Sequence, residues 1–286
     1  KVLVQRIDQG PAGKLALEAS FNAASKLLQV DLSLTETTGG IVSSKLGLPG
    51  VPSLGLTVKG AGPLSAFLAA VELSTDDTTR LSGQVVLTSQ DTGATRFSAN
   101  LGGDVVPLFL PDYASFFGPD VRLATTGEHW PDGRTELSAL SLTTRALRLG
   151  GSLALAADGV PQRFDLQVLL GMDDGSPVQL PLTTAAPVRL DRGNLTLRYD
   201  VRQGEGWTLV SKISGLDIGS AKIADLSLDG SGRISRFGSD PQIGATLTYA
   251  ANGINPVDQA FAAALGPQIS GQSLIYWTRG GGALSI

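Results

Sequence analysis

The chain has 286 residues, 42% hydrophobic, 17% charged and only 6% aromatic, with a net charge of −4. Its mean hydropathy of +0.14 excludes intrinsic disorder, which needs low hydrophobicity and high charge, and the slight acidic balance argues against a nucleic-acid partner. With no cysteine and one histidine, His129, disulfides, thiolate chemistry and multi-histidine metal centres are excluded, and no cofactor is expected.

From the N-terminus onward, apolar residues recur at every second position. Leu15, Leu17, Ala19 and Phe21 alternate with polar or small residues, as do Leu28, Val30, Leu32 and Leu34. The pattern continues through 54–58, 67–73, 81–87 and 97–101. Later it runs through Leu147, Leu149, Leu153 and Leu155, then Phe164, Leu166, Val168 and Leu170. Leu195, Leu197 and Tyr199 follow, and then Ala245, Leu247 and Tyr249. Period two makes one face apolar and one wet, which is the mark of antiparallel sheet. Turn signals divide the runs: Asp91-Thr92-Gly93, Asp132-Gly133, Asp158-Gly159, Asp174-Gly175, Arg192-Gly193-Asn194 and Gly204-Glu205-Gly206. Roughly 16 to 18 strands are expected at this spacing. The apolar face is aliphatic and uniform, more like a lining than an interlocking core. Alternation alone leaves both a closed core and an open trough available.

Two segments look alike. Residues 110–121 and 255–269 each start at a proline, continue in a short helical pattern and end in Gly-Pro before a strand, at Gly118-Pro119 and Gly266-Pro267. Asn255 is read as an N-cap and Pro256 as the first helical residue. Val257, Phe261 and Leu265 fall on one helical stripe, and the glycine supplies the stop. A third copy is read at 41–46, stopped at Gly47, and a degraded one as a loop at 183–188. Together they imply a unit of roughly 72 residues. The chain is accordingly expected to be one continuous repetitive segment, 1–286, with junctions near 41–50, 110–120, 183–193 and 255–268, cut from a longer protein. The longest apolar runs, 66–71 and 105–110, are far shorter than the about 20 residues of a spanning helix.

Sites of chemistry are sparse. Gly10-Pro11-Ala12-Gly13-Lys14 lacks phosphate-loop spacing and reads as a turn. Gly230-Ser231-Gly232 lacks the third glycine of a dinucleotide fingerprint and reads as a bend or bulge. His129 has no nucleophile or carboxylate constellation to join and reads as a strand end. Asp76-Asp77 and Asp173-Asp174 do not fit calcium-loop spacing and read as solvated hairpin tips. Asn194-Leu195-Thr196 matches a glycosylation sequon but opens a strand. No enzymatic activity is expected. The remaining candidate is the apolar face itself, taken as the lining of a lipid groove by Leu147, Leu149, Leu153, Leu155, Phe164 and Leu166, together with Val168, Leu170, Leu195, Leu197, Tyr199 and Leu247.

Three stretches carry a resemblance. They are Leu46-Gly47-Leu48-Pro49-Gly50-Val51-Pro52-Ser53-Leu54 with Gly60-Ala61-Gly62-Pro63-Leu64, Pro107-Leu108-Phe109-Leu110-Pro111 through Phe117-Gly118-Pro119, and Ala146-Leu147-Arg148-Leu149-Gly150-Gly151-Ser152-Leu153. They resemble the repeated body of the TamB family of Gram-negative envelope proteins, which is similar to AsmA-like and bridge-like lipid-transfer proteins. The resemblance implies an all-β fold: an elongated, repetitive antiparallel sheet curled into a β-taco or β-groove with an aliphatic interior and short helices at repeat junctions. It implies a periplasmic location with the full-length protein anchored in the inner membrane, the anchor lying outside these residues. It implies phospholipid acyl chains as cargo, moved between the two membranes. It also implies support of outer-membrane protein assembly through TamA or a related barrel. No catalytic residues carry over. Two other readings stay open: a scaffold that templates strands of nascent outer-membrane proteins, and an extracellular adhesin-like β-solenoid.

Overall fold

The computed structural model describes residues 1–63, 65–108, 113–182, 184–237, 240–258, 260, 262–263 and 266–278. The backbone divides into two units, Lys1–Arg145 and Ala146–Ile286. The first holds β1 (Val2–Gln5), β2 (Gly13–Asn22), β3 (Leu27–Glu36), α1 (Ile41–Lys45), β4 (Leu54–Pro63), β5 (Phe67–Thr75) and β6 (Thr78–Ser89). It continues with β7 (Thr95–Gly103), α2 (Ala114–Phe117), β8 (Val121–His129) and β9 (Thr135–Thr143). The second holds β10 (Leu147–Leu155), β11 (Pro161–Gly171), β12 (Val178–Gln179), β13 (Arg189–Leu190) and β14 (Arg192–Asp200). Then come β15 (Gly206–Asp217), β16 (Ala221–Phe237), β17 (Asp240–Pro256) and β18 (Gln268–Thr278).

The fold is all-β and antiparallel, and the strands do not close into a barrel. Within each unit every strand pairs with its predecessor and successor in the chain, apart from one excursion. There β11 pairs directly with β14, while the small β12–β13 hairpin lies between them in sequence and touches β15 at Arg189↔Asp217.

The turns explain the regularity. Gln90–Ala94, Trp130–Arg134 and Ala156–Val160 share one hydrogen-bond pattern. In each, the first residue's N–H donates to the fifth residue's carbonyl, and the glycine's N–H donates back to the first residue's carbonyl. The glycines Gly93, Gly133 and Gly159 stand at φ +81°, +94° and +80°, as a type I turn followed by a left-handed residue requires. The β5–β6 hairpin instead turns on Asp76 and Asp77, both left-handed at φ +49° and +58°.

Within each unit the long connections all lie at one end of the strands, beside an occasional tight turn, and the other end carries short turns. In the first unit, 23–26, 64–66, 90–94 and 130–134 lie at one end, and 37–53, 76–77 and 104–120 at the opposite end. In the second unit, 156–160 and 201–205 oppose 172–191, 218–220 and 257–267. The three largest fully buried side chains, Leu190, Val178 and Ser43, sit in the long connections, and other buried residues lie in or near the connections at that end. Ser43, Leu48, Leu54 and Thr75 form one group by sequence, Val105, Phe116, Val121 and Thr144 a second, and Met172, Val178 and Leu190 a third.

The first of these connections shows how it is made. Ile41–Lys45 has no capping side chain of its own at Gly40. The Glu36 carboxylate at the end of β3 supplies the acceptor, taking Val42 N–H at 2.8 Å and Ser43 N–H at 3.3 Å. The helix ends in a Schellman motif: Gly47 N–H donates to Ser44 O, Leu48 N–H donates to Ser43 O, and Gly47 stands at φ +66°. Leu48, the residue after that glycine, is buried.

Three sequence expectations are corrected. Arg192-Gly193-Asn194 is not a turn but the start of β14, in continuous register with Gly171, Leu170 and Leu169 of β11. Gly230-Ser231-Gly232 is neither bend nor bulge. It pairs without a shift between β15 and β17, because glycine there clears room for larger side chains on both neighbours. Asn255 and Pro256 do not open a helix but finish β17. The helical bond runs from Ala262 N–H to Asp258 O, and Asp258 Oδ1 accepts Ala260 N–H at 2.8 Å, so Asp258 takes the capping role. Phe261, Leu265 and residues 109–112 lie outside the described residues.

Close strand-to-strand contacts among the described residues follow the ladders.

Candidate functional site

In an antiparallel ladder, directly opposed residues share a face. Following the pairs across the second unit builds the candidate site row by row. One row runs Leu149–Val168–Leu195–Ser211–Leu228–Tyr249. The next runs Leu166–Leu197–Leu209–Gly230–Leu247. A third runs Leu153–Phe164–Tyr199–Trp207–Gly232–Ala245. The fourth begins Leu147–Leu170–Gly193–Ile213–Leu226. The opposite face carries Gln167–Thr196–Val210–Asp229 and Ser152–Asp165–Arg198–Thr208. Charge is therefore confined to one side, and its ion pairs, such as Arg198–Asp165 at 3.5 Å and Arg148–Asp173 at 3.0 Å, are solvent-exposed.

All twelve residues expected to line a groove lie on β10, β11, β14 or β17. Eleven fall in these four rows. Leu155, beyond an irregularity at Ala154/Leu155, pairs with Pro161. Eleven are half-buried and only Tyr199 is buried. A face fully clamped under a second sheet would be more completely closed to water.

The sequence reading named Tyr199, Phe164, Leu197 and Leu247 at the centre of the face but missed Trp207, Leu209 and Ile234. Tyr199, Trp207 and Ile234 form a buried cluster, with Phe164, Leu197, Leu209, Ile243 and Leu247 packed around it. The Phe164 and Tyr199 rings lie 5.3 Å apart. Trp207, Leu209 and Ile213 keep period two along β15, but Ser211 on the same face and Val210 on the other obscure the alternation. In β16 the glycines 230 and 232 interrupt it. A Cβ on Gly230 would come within 2.8 Å of Leu247 and 3.0 Å of Leu209. The first unit has its own apolar rows, among them Leu17–Leu32–Val58–Val71 and Leu15–Leu34–Leu56–Leu73–Leu81.

Two polar groups near this face, Ser211 and Asp200, are tied down. Ser211 Oγ donates to Asn194 O at 2.8 Å. At the β14–β15 turn, Asp200 accepts Arg202 Nη2 at 2.7 Å and Arg202 Nε and backbone N–H at 3.0 Å. Hydrogen bonds from the Arg202 guanidinium first, and from its backbone second, hold the Asp200 carboxyl down at about 2.

The minor candidates take structural places. His129 ends β8 with Nδ1 2.9 Å from Thr135 Oγ1. Asp76 Oδ1 accepts Ser53 N–H and Oγ–H, and Asp174 Oδ1 accepts Ser176 N–H and Oγ–H. Among the described residues no cluster of metal-ligating side chains occurs, and no helix is long and apolar enough to cross a membrane.

Compared with known proteins, the chain matches no family model, no curated protein and no solved structure.

Proposed function

We propose that the chain is a segment of a TamB-like envelope protein whose apolar face carries phospholipid acyl chains between the inner and outer membranes. The observation that supports this reading is the half-buried, largely aliphatic face of the second unit, continuous over four ladder rows. A methylene moved from water onto such a face gains up to about 0.8 kcal/mol, so alkyl chains complete the burial that the sheet leaves unfinished. A largely aliphatic lining suits passage rather than capture. The reading assigns no catalytic step. The periplasmic location, the inner-membrane anchor of the longer protein, and TamA or a related barrel as partner in outer-membrane protein assembly rest on the sequence resemblance. Membrane contact is assigned to regions outside these residues.

The test is site-specific photocrosslinking in vesicles of tritiated phospholipid. A photoreactive residue at Leu197, on the apolar face, is expected to label the acyl chains. The same residue at Arg198, on the polar face, is expected to remain unlabelled. Equal labelling at both positions, or none at Leu197, refutes the conduit.

A further inference from the structure

Leu, Val and Ile side chains carry no hydrogen-bond donors, so a donor set among them has to find its acceptor elsewhere. On the second unit's face Ser211 has done so, within the backbone. Trp207 has not. Its side chain is 9% exposed and its Nε1 is buried without a hydrogen-bond partner. The indole lies against Gly232 of the neighbouring strand, where a Cβ would stand 2.8 Å from Nε1. That glycine is on the apolar row, so Nε1 is on the groove side of the sheet. Around it pack Tyr199, Ile234 and the half-buried Leu197, Leu209 and Leu247.

We infer that Trp207 is the polar anchoring point of the conduit, and that its indole N–H donates to the acyl carbonyl oxygen of the guest. This rests on the conduit reading above. An alkyl chain on the aliphatic rows brings its own acceptor, as an ester carbonyl or a fatty carboxylate, to the donor that the protein leaves unpaired. The half-buried neighbours are free on their outer side, so their rotation and that of the ring open the path. The anchor favours acyl compounds over plain hydrocarbon and sets where along the face the carbonyl rests.

The test uses the delipidated full chain with three probes: dodecane, methyl laurate and laurate. The Trp207 indole N–H resonance, assigned from its loss in Trp207→Phe, is expected to move downfield with methyl laurate or laurate and to stay in place with dodecane. Trp207→Phe is expected to weaken binding of the acyl probes about fivefold, the effect of one neutral hydrogen bond, and to leave dodecane binding within about twofold. The acyl probe that loses more identifies the source as ester or carboxylate. Equal losses for dodecane and the acyl probes, or an equal resonance shift with dodecane, overturn the anchor while the conduit stands. Should Trp207→Phe not fold, the loss of one resonance each in Trp130→Phe and Trp277→Phe assigns the remaining indole N–H to Trp207, and the shift decides. Failure of the unsubstituted chain to bind any probe overturns the conduit and the anchor with it.

Discussion

Leu166→Arg and Leu190→Arg separate an open face from a closed core. Leu166 is half-buried in the middle of the apolar rows, whereas Leu190 is 1% exposed in the 172–191 connection. Full burial of a leucine contributes about 1.5–3 kcal/mol, so half-burial contributes about 1 kcal/mol. The arginine stem recovers part of that contact while its guanidinium reaches water from an open face. Leu166→Arg is therefore expected to cost about 1 kcal/mol, a fall of about 3–5 °C in Tm. Leu190→Arg puts an unpaired charge where water does not reach, at a cost of about 5 kcal/mol. That is comparable to the whole stability of many domains, so this variant is expected to be unfolded or insoluble. Thermal melts followed by circular dichroism read the difference. Combining Leu149→Arg with Leu166→Arg should leave the fold intact and remove contact with about four methylenes, near 3 kcal/mol in all. Retention of a fluorescent phospholipid should then fall about 100-fold. If Leu166→Arg lowers Tm as far as Leu190→Arg, the face is a sealed core and the conduit is refuted.

Three further outcomes are expected. Gly232→Val drives a side chain into the Gly244 carbonyl and the Trp207 indole. It should cost about 2–3 kcal/mol, seen as a lower urea midpoint, and a near-neutral result would mean that the indole is not seated there. Asp77→Gly, at φ +58°, should stabilise by about 0.5–1 kcal/mol. Asp76→Gly should not, because it removes the acceptor of Ser53 N–H and Oγ–H. Asp200, held down to about 2, stabilises the folded chain above its ordinary unfolded value of about 3.9. That contribution is lost as pH falls toward 2. Carbon-detected NMR titration should show the low midpoint, and Arg202→Leu should raise it toward the ordinary range.

Strand existence and facing were legible in the residues because both depend on a local period of two. The alternations at 147–153, 164–170 and 195–199 put their side chains on one face as read, and Asp132-Gly133 and Asp158-Gly159 closed hairpins as read, whereas Asp174-Gly175 turns inside the 172–191 connection. The errors fell where one residue type serves two physical ends. Gly193 looked like a turn residue, yet it is buried at the start of β14 beside Leu170 and Leu190. Gly230 and Gly232 looked like a bend, yet their missing side chains make room for Leu209, Leu247 and Trp207 from adjacent strands. Neither role can be read from neighbours in sequence, because the contacting residues belong to other strands.

By itself the sequence determined that these strands have one oily side and one wet side, since alternation and turn chemistry act over a few residues. It also kept catalytic and metal chemistry sparse by composition alone. Whether the oily side is sealed or left open was decided only in three dimensions, because that depends on whether a second layer covers it. Tertiary structure also chose Trp207 as the middle of the face: ladder register, set over the whole strand length, brings its ring onto a glycine 25 positions further along the chain.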